Sequence, residues 1–154
     1  MEPDWRQTGP TVLLKKAVPE TSSGQAFFQM INKKEPSVAE IKQGWKKYLR
    51  AIRNLHKQTN RPVLFTAYGY LSVDHCTHNT WELEKDRYKY PINEQAQANA
   101  IQALHEVFWQ EPYWHGGFLW KWFPDIDNQR RPTTHGYTPQ GKKAEAVLRS
   151  WYQH

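Results

Sequence analysis

A chain of 154 residues can bury one sizeable core, and its single cysteine, Cys76, excludes an intrachain disulfide as a staple. The formal charge of +6 admits a polyanionic partner, yet the basic residues are scattered, and their densest group (Lys42, Lys46, Lys47, Arg50, Arg53) reads as the solvated face of one helix. No apolar run approaches the ~20 residues of a membrane helix, and the acidic start lacks the basic and apolar regions of a signal peptide, so the chain as written is expected in the cytoplasm.

Residues 1–35 carry the weakest pattern. Short strands are expected at Thr11 to Leu14 and Ala26 to Ile31, with loop material at Pro19 to Gly24 between them. From Ser37 to Lys57 the pattern is that of a helix. Pro36 precedes it, Ser37 and Glu40 have capping-box spacing, and Val38, Ile41, Trp45, Leu49, Ile52 and Leu55 recur every three or four residues. Trp45 lies on that stripe and is expected in the core. Arg61 to Tyr70 then reads as a strand buried on both faces, opened by Pro62 and closed by Gly69, with Val63, Leu64, Phe65 and Thr66 between. In an α/β layout the tip of such a strand meets ligands, which singles out Ala67, Tyr68 and Tyr70.

A loop of some twenty residues is expected from Leu71 to Pro91, with Trp81 its best stacking candidate. Asn93 caps an expected helix through Trp109, whose stripe is Ala96, Ala100, Ile101, Leu104, Val107 and Phe108. A strand follows at His115 to Lys121, then a proline-rich charged loop to Tyr137. A last helix is expected from Thr138 as N-cap and Pro139 at its first position. The alternation of strand and helix predicts a parallel sheet.

Three segments in this order, Arg61 to Tyr70, Gly116 to Pro124 and Tyr137 to Lys142, resemble the C-terminal part of glycoside hydrolase family 113, the β-mannanases of the retaining clan A. The resemblance runs from about Pro36 to Tyr152. It implies an α/β fold, the C-terminal part of a (β/α)8 TIM barrel spanning about strands 6 to 8 with their helices. A whole barrel takes roughly 250 residues, so this one is incomplete. The chain thus divides into a poorly matched segment, 1–35, and a partial barrel domain, 36–154.

In that family the central strand ends Phe-Thr-Glu-Tyr-Gly-Tyr and its Glu is the nucleophile, a position that aligns with Ala67 here. A methyl group cannot attack an anomeric carbon. The family's acid/base Glu belongs to a strand upstream of the matched region, so the resemblance implies an inactive chain as given. It also implies that Trp120 sits under the sugar at the cleavage point. Tyr68, Tyr70, Trp122, Trp81 and Asp125 are the further candidates for substrate contact. Eight Trp and 14% aromatic residues suit either sugar platforms or an aromatic core.

Asp74, His75, Cys76 and His78 are all potential zinc ligands, but their spacing matches no standard zinc pattern, and neither a metal nor a cofactor is expected. Asp74, Asp125 and Asp127 read as ordinary loop aspartates. His105 and His115 read as structural, and His135 and His154 as exposed. The expected partner is a β-linked, mannan-like oligosaccharide or polysaccharide, with no nucleic acid and no membrane. Self-association, or pairing with another barrel half, would cover the open sheet. Two further readings stay open: a carbohydrate-binding protein without hydrolysis, and a structural half-barrel completed by another chain.

Overall fold

The computed structural model describes residues 28–78, 80–124 and 134–153, with residues 80 and 81 by backbone alone. The expected strand at Thr11 to Leu14, together with Ala26 and Phe27, lies outside them. Phe28 to Ile31 forms no strand; the segment is held by the Met30 N–H, which donates to the Thr77 carbonyl at 2.9 Å.

Helix α1, Val38–Thr59, begins where the sequence signals it. The Ser37 hydroxyl accepts from the Glu40 N–H at 3.3 Å, and the Glu40 carboxylate accepts from the Ser37 N–H at 2.8 Å, satisfying two donors the first turn would otherwise leave bare. Strand β1, Val63–Tyr68, leads through α2, Thr80–Asp86, and a 3-10 turn, Arg87–Lys89, into α3, Glu94–Phe108. Strand β2, Trp114–Leu119, and helix α4, Lys143–Tyr152, complete the order.

The two strands pair in parallel, with Val63 opposite Trp114, Phe65 opposite Gly117 and Tyr68 opposite Leu119. The register therefore carries an extra residue first in β2 and then in β1. Gly116, at φ 103°, sits in the first irregularity, a conformation open to glycine at little cost. At Gly117 a side chain would press on Phe65 Cβ and the Tyr68 ring, both 2.9 Å from where its Cβ would lie.

One side of the sheet is covered by helices. α3 packs against both α1 and α4. Trp45 of α1 meets Phe108 of α3 edge-on at 5.0 Å and lies parallel to Phe65 of β1 at 6.5 Å, and all three are fully buried. The other side is bare by comparison: Thr66 is exposed, Leu64 half-buried, and Phe118 is 65% exposed.

Two expectations are corrected. The stretch from Leu71 to Pro91 is not an unstructured loop. Leu71, Ser72, Val73, Cys76 and Thr77 are fully buried, Val73 bridges to Ile92, and α2 occupies its second half. The last helix starts at Lys143 rather than Pro139. Gly141 takes a positive φ of 71° and breaks the chain direction there, while the Thr138 hydroxyl turns back to accept from the Gln140 N–H at 3.3 Å.

Candidate functional site

The C-terminal ends of β1 and β2 lie side by side. The Trp120 N–H donates to the Tyr68 carbonyl at 2.7 Å, and a Cβ on Gly69 would collide with the Trp120 carbonyl, so only glycine lets the two strand ends approach this closely. Ala67 is buried at this junction. Trp120 and Trp122 are 43% and 50% exposed, and the Lys121 ammonium stands 4.9 Å over the Trp120 ring. The Trp120–Lys121 peptide bond is cis.

The other candidates are placed differently. Tyr68 and Tyr70 are both in the core, where burial pushes their phenols well above the usual range. Tyr68 faces His105, and the Tyr70 hydroxyl has no hydrogen-bond partner among the described residues. Trp81 falls on α2, but its side chain lies outside the described residues, as do Asp125, Asp127 and His154. Asp74 is not a solvated loop residue: it is nearly buried and accepts from the Asn93 side-chain amide at 2.8 Å. His75 is held by Asn32 at 2.7 Å, and burial drives the Cys76 thiol upward. Among the described residues no group of three or more His, Cys, Asp or Glu is arranged to hold a metal ion. His105 is buried as a structural residue should be, whereas His115 is exposed on β2 and His135 is half-buried.

A polar network that sequence patterning passes over ties the segments behind this junction. The Gln97 side-chain amide donates to the carbonyls of Tyr70 at 2.9 Å and Tyr137 at 3.0 Å, joining the end of β1 to the stretch before α4. Lys142 is buried, and its ammonium donates to the Ser72 hydroxyl at 2.8 Å and the Gly136 carbonyl at 3.2 Å. Desolvation holds its pKa down at about 8, against the opposing pull of Glu94. Gln140 both donates to the Phe123 carbonyl and accepts from the Phe123 N–H, each at 2.7 Å, fixing the segment that carries Trp120 and Trp122. The one sequence signal was Gln97 itself, a polar residue set on the apolar stripe of α3.

The sequence profile of Glycoside Hydrolase Family 113 matches residues 18–142, most of the chain. The chain belongs to this family. No curated protein matches it. Among solved structures, a complex of a GH113 β-1,4-mannanase is 27% identical with a TM-score of 0.58, and the match covers 77% of this chain and 37% of that one. A second GH113 β-1,4-mannanase structure is 28% identical, also at 0.58, covering 73% and 36%. The GH113 β-mannanase AaManA from Alicyclobacillus acidocaldarius, in complex with ManMIm, shares the fold at 21% identity and a TM-score of 0.56, again covering 73% and 36%. The chain thus spans little more than a third of the length of these relatives, and its two-stranded α/β unit is part of a TIM-barrel family.

Proposed function

We propose that the chain is a glycan-binding part of a β-mannanase-like barrel and that it does not hydrolyse glycosidic bonds as given. On this reading β1 and β2 are late strands of the barrel, and their C-terminal ends border the cleft. The observation that carries the proposal is the junction itself, where the end of β1, with Ala67 buried, meets the segment that carries the exposed indoles of Trp120 and Trp122; on this reading Ala67 stands at the family's nucleophile position.

Retaining hydrolysis needs two carboxyl groups about 5 to 5.5 Å apart, one as nucleophile and one as acid/base. Ala67 supplies no carboxylate, and Asp74 is engaged by Asn93. The indoles remain suited to sugar, since their flat faces match the C–H surface of a pyranose and the indole N–H can reach a hydroxyl. Their exposure favours the carbohydrate-binding reading in particular. The burial of Tyr68 and Tyr70 makes these two residues supports of the cleft wall on this account.

The test is to incubate the 154-residue chain with β-mannan and an aryl β-glycoside, and separately to titrate it with mannohexaose while following indole fluorescence. No reducing ends should appear, either in this chain or in Ala67→Glu alone, and mannohexaose should bind in a manner weakened by Trp120→Ala. Measurable mannan cleavage by the unaltered chain would falsify the assignment of Ala67. Absence of any mannohexaose binding would remove the cleft.

A further inference from the structure

The segment that carries Trp120 and Trp122 leaves the sheet almost at once. β2 ends at Leu119, and the Trp120 N–H reaches back to the Tyr68 carbonyl at 2.7 Å. Beyond that bond, among the described residues, Lys121 to Pro124 are held by hydrogen bonds from one side chain. Gln140 Oε1 accepts from the Phe123 N–H and Gln140 Nε2 donates to the Phe123 carbonyl, each at 2.7 Å. The amide thus pairs with the backbone of one residue as a neighbouring strand would. The Thr138 hydroxyl donates to the same Oε1 at 3.1 Å, which fixes which way round the amide lies.

Gln140 is itself anchored from both sides. Before it, the Tyr137 carbonyl accepts from the buried Gln97 amide at 3.0 Å; after it, the Lys142 ammonium donates to the Ser72 hydroxyl at 2.8 Å and the Gly136 carbonyl at 3.2 Å. The core therefore reaches the exposed segment through Gln140. Trp122 is 50% exposed, so packing alone does not hold its indole. An indole free to swing must be ordered each time a ligand stacks on it, and that ordering subtracts from affinity. We propose that Gln140 is a positioning residue for glycan binding: by pairing with Phe123 it holds the adjacent Trp122 ready beside Trp120, and it sets the affinity of the platform without touching the sugar. This rests on the sugar-binding reading above and names the residue that prepares its platform.

The experiment is a calorimetric titration of the 154-residue chain and its variants with mannohexaose at about pH 7 and about pH 4, either side of the ordinary glutamate range. Gln140→Ala should weaken binding about three- to ten-fold, the scale of ordering one or two side chains anew. Asn99→Ala, which removes a bond from α3 to the Pro36 carbonyl at 3.0 Å, should leave affinity in place. Gln140→Glu separates the pairing from a mere loss of packing. Its ionised carboxylate can only accept and opposes the Phe123 carbonyl, whereas the protonated acid offers one acceptor and one O–H donor, as the amide does. Its affinity, taken relative to the unaltered chain at each pH, should be low near pH 7 and recover near pH 4. Full affinity in Gln140→Ala overturns the inference and leaves the sugar-binding reading standing, and so does an equal loss in Asn99→Ala. A Gln140→Glu deficit that is the same at both pH values also overturns it. Absence of mannohexaose binding by the unaltered chain overturns both.

Discussion

His105 shows how a single residue couples chemistry to stability in this chain. Its ring is fully buried on α3, stacked on Trp151 at 5.6 Å and edge-on to Tyr152 at 5.6 Å. Nδ1 lies 2.8 Å from the Ile101 carbonyl, which can only accept, so Nδ1 carries the proton and Nε2 is left to accept from the Tyr152 hydroxyl at 3.2 Å. Desolvation lowers the pKa below its ordinary 6.5, although the Ile101 bond works the other way. The unfolded ring binds a proton at about 6.5 and the folded ring resists it until a lower pH. Stability is therefore fully present above 6.5 and declines as pH falls from there toward the folded value. Denaturant midpoints measured at pH 7.5 and 5.5 should show this loss, and His105→Phe should flatten it. An unchanged slope in that variant would mean the ring does not carry the effect.

At the scale of elements, α1 is the clearest case, because cap, stripe and tertiary contacts all agree. Trp45 contacts Phe28, Tyr48, Phe65 and Phe108, so Trp45→Ala should leave a cavity and cost about 3–5 kcal/mol of stability. Ser37→Ala, which removes only the cap, should cost about 1 kcal/mol. Comparable losses in the two variants, read from chemical denaturation, would contradict this ordering. Where local signals misled, tertiary contacts had overridden them. Thr138-Pro139 has the chemistry of a helix start, yet the chain spends Pro139 to Lys142 on a turn at Gly141 that carries the Lys142 side chain to Ser72 and the Gly136 carbonyl. The polar run after β1 looked like loop because its buried residues, Leu71, Val73 and Cys76, are too few and too spaced to show a period. Leu71 and Val73 cluster with Leu83 of α2 and with Tyr137, while Cys76 joins the main core, and none of these contacts is visible in a local window.

For the whole molecule, the issue is the bare side of the sheet. Phe118 at 65% exposure, with Leu64 and Thr66 on the same side, is an apolar surface that a closed barrel would cover. We expect the chain to self-associate or to require a complementary barrel half, and sedimentation velocity at micromolar concentration should show species larger than the monomer. Phe118→Ser should reduce them. A well-folded, strictly monomeric chain would count against this expectation. The same logic extends to activity: Ala67→Glu with the complementary half supplied should recover mannan hydrolysis, whereas either change alone should not, because nucleophile and acid/base must both be present.

The sequence alone determined the two parallel strands, the caps and buried stripes of α1 and α3, the core position of Trp45, and the family, because each is written in local periodicity or in contiguous motif. It is also the basis for the proposal that Ala67 stands where the family has its nucleophile. Only the tertiary structure decided that Tyr68 and Tyr70 are buried while Trp120 and Trp122 remain exposed, since burial at a strand end is set by which distant segments pack there. The same holds for Gln97, Gln140 and Lys142, each of which has a partner 17 to 70 residues away in the chain. A polar residue states its hydrogen-bonding capacity in the sequence, but its partner is chosen by the fold that brings distant backbone within 3 Å.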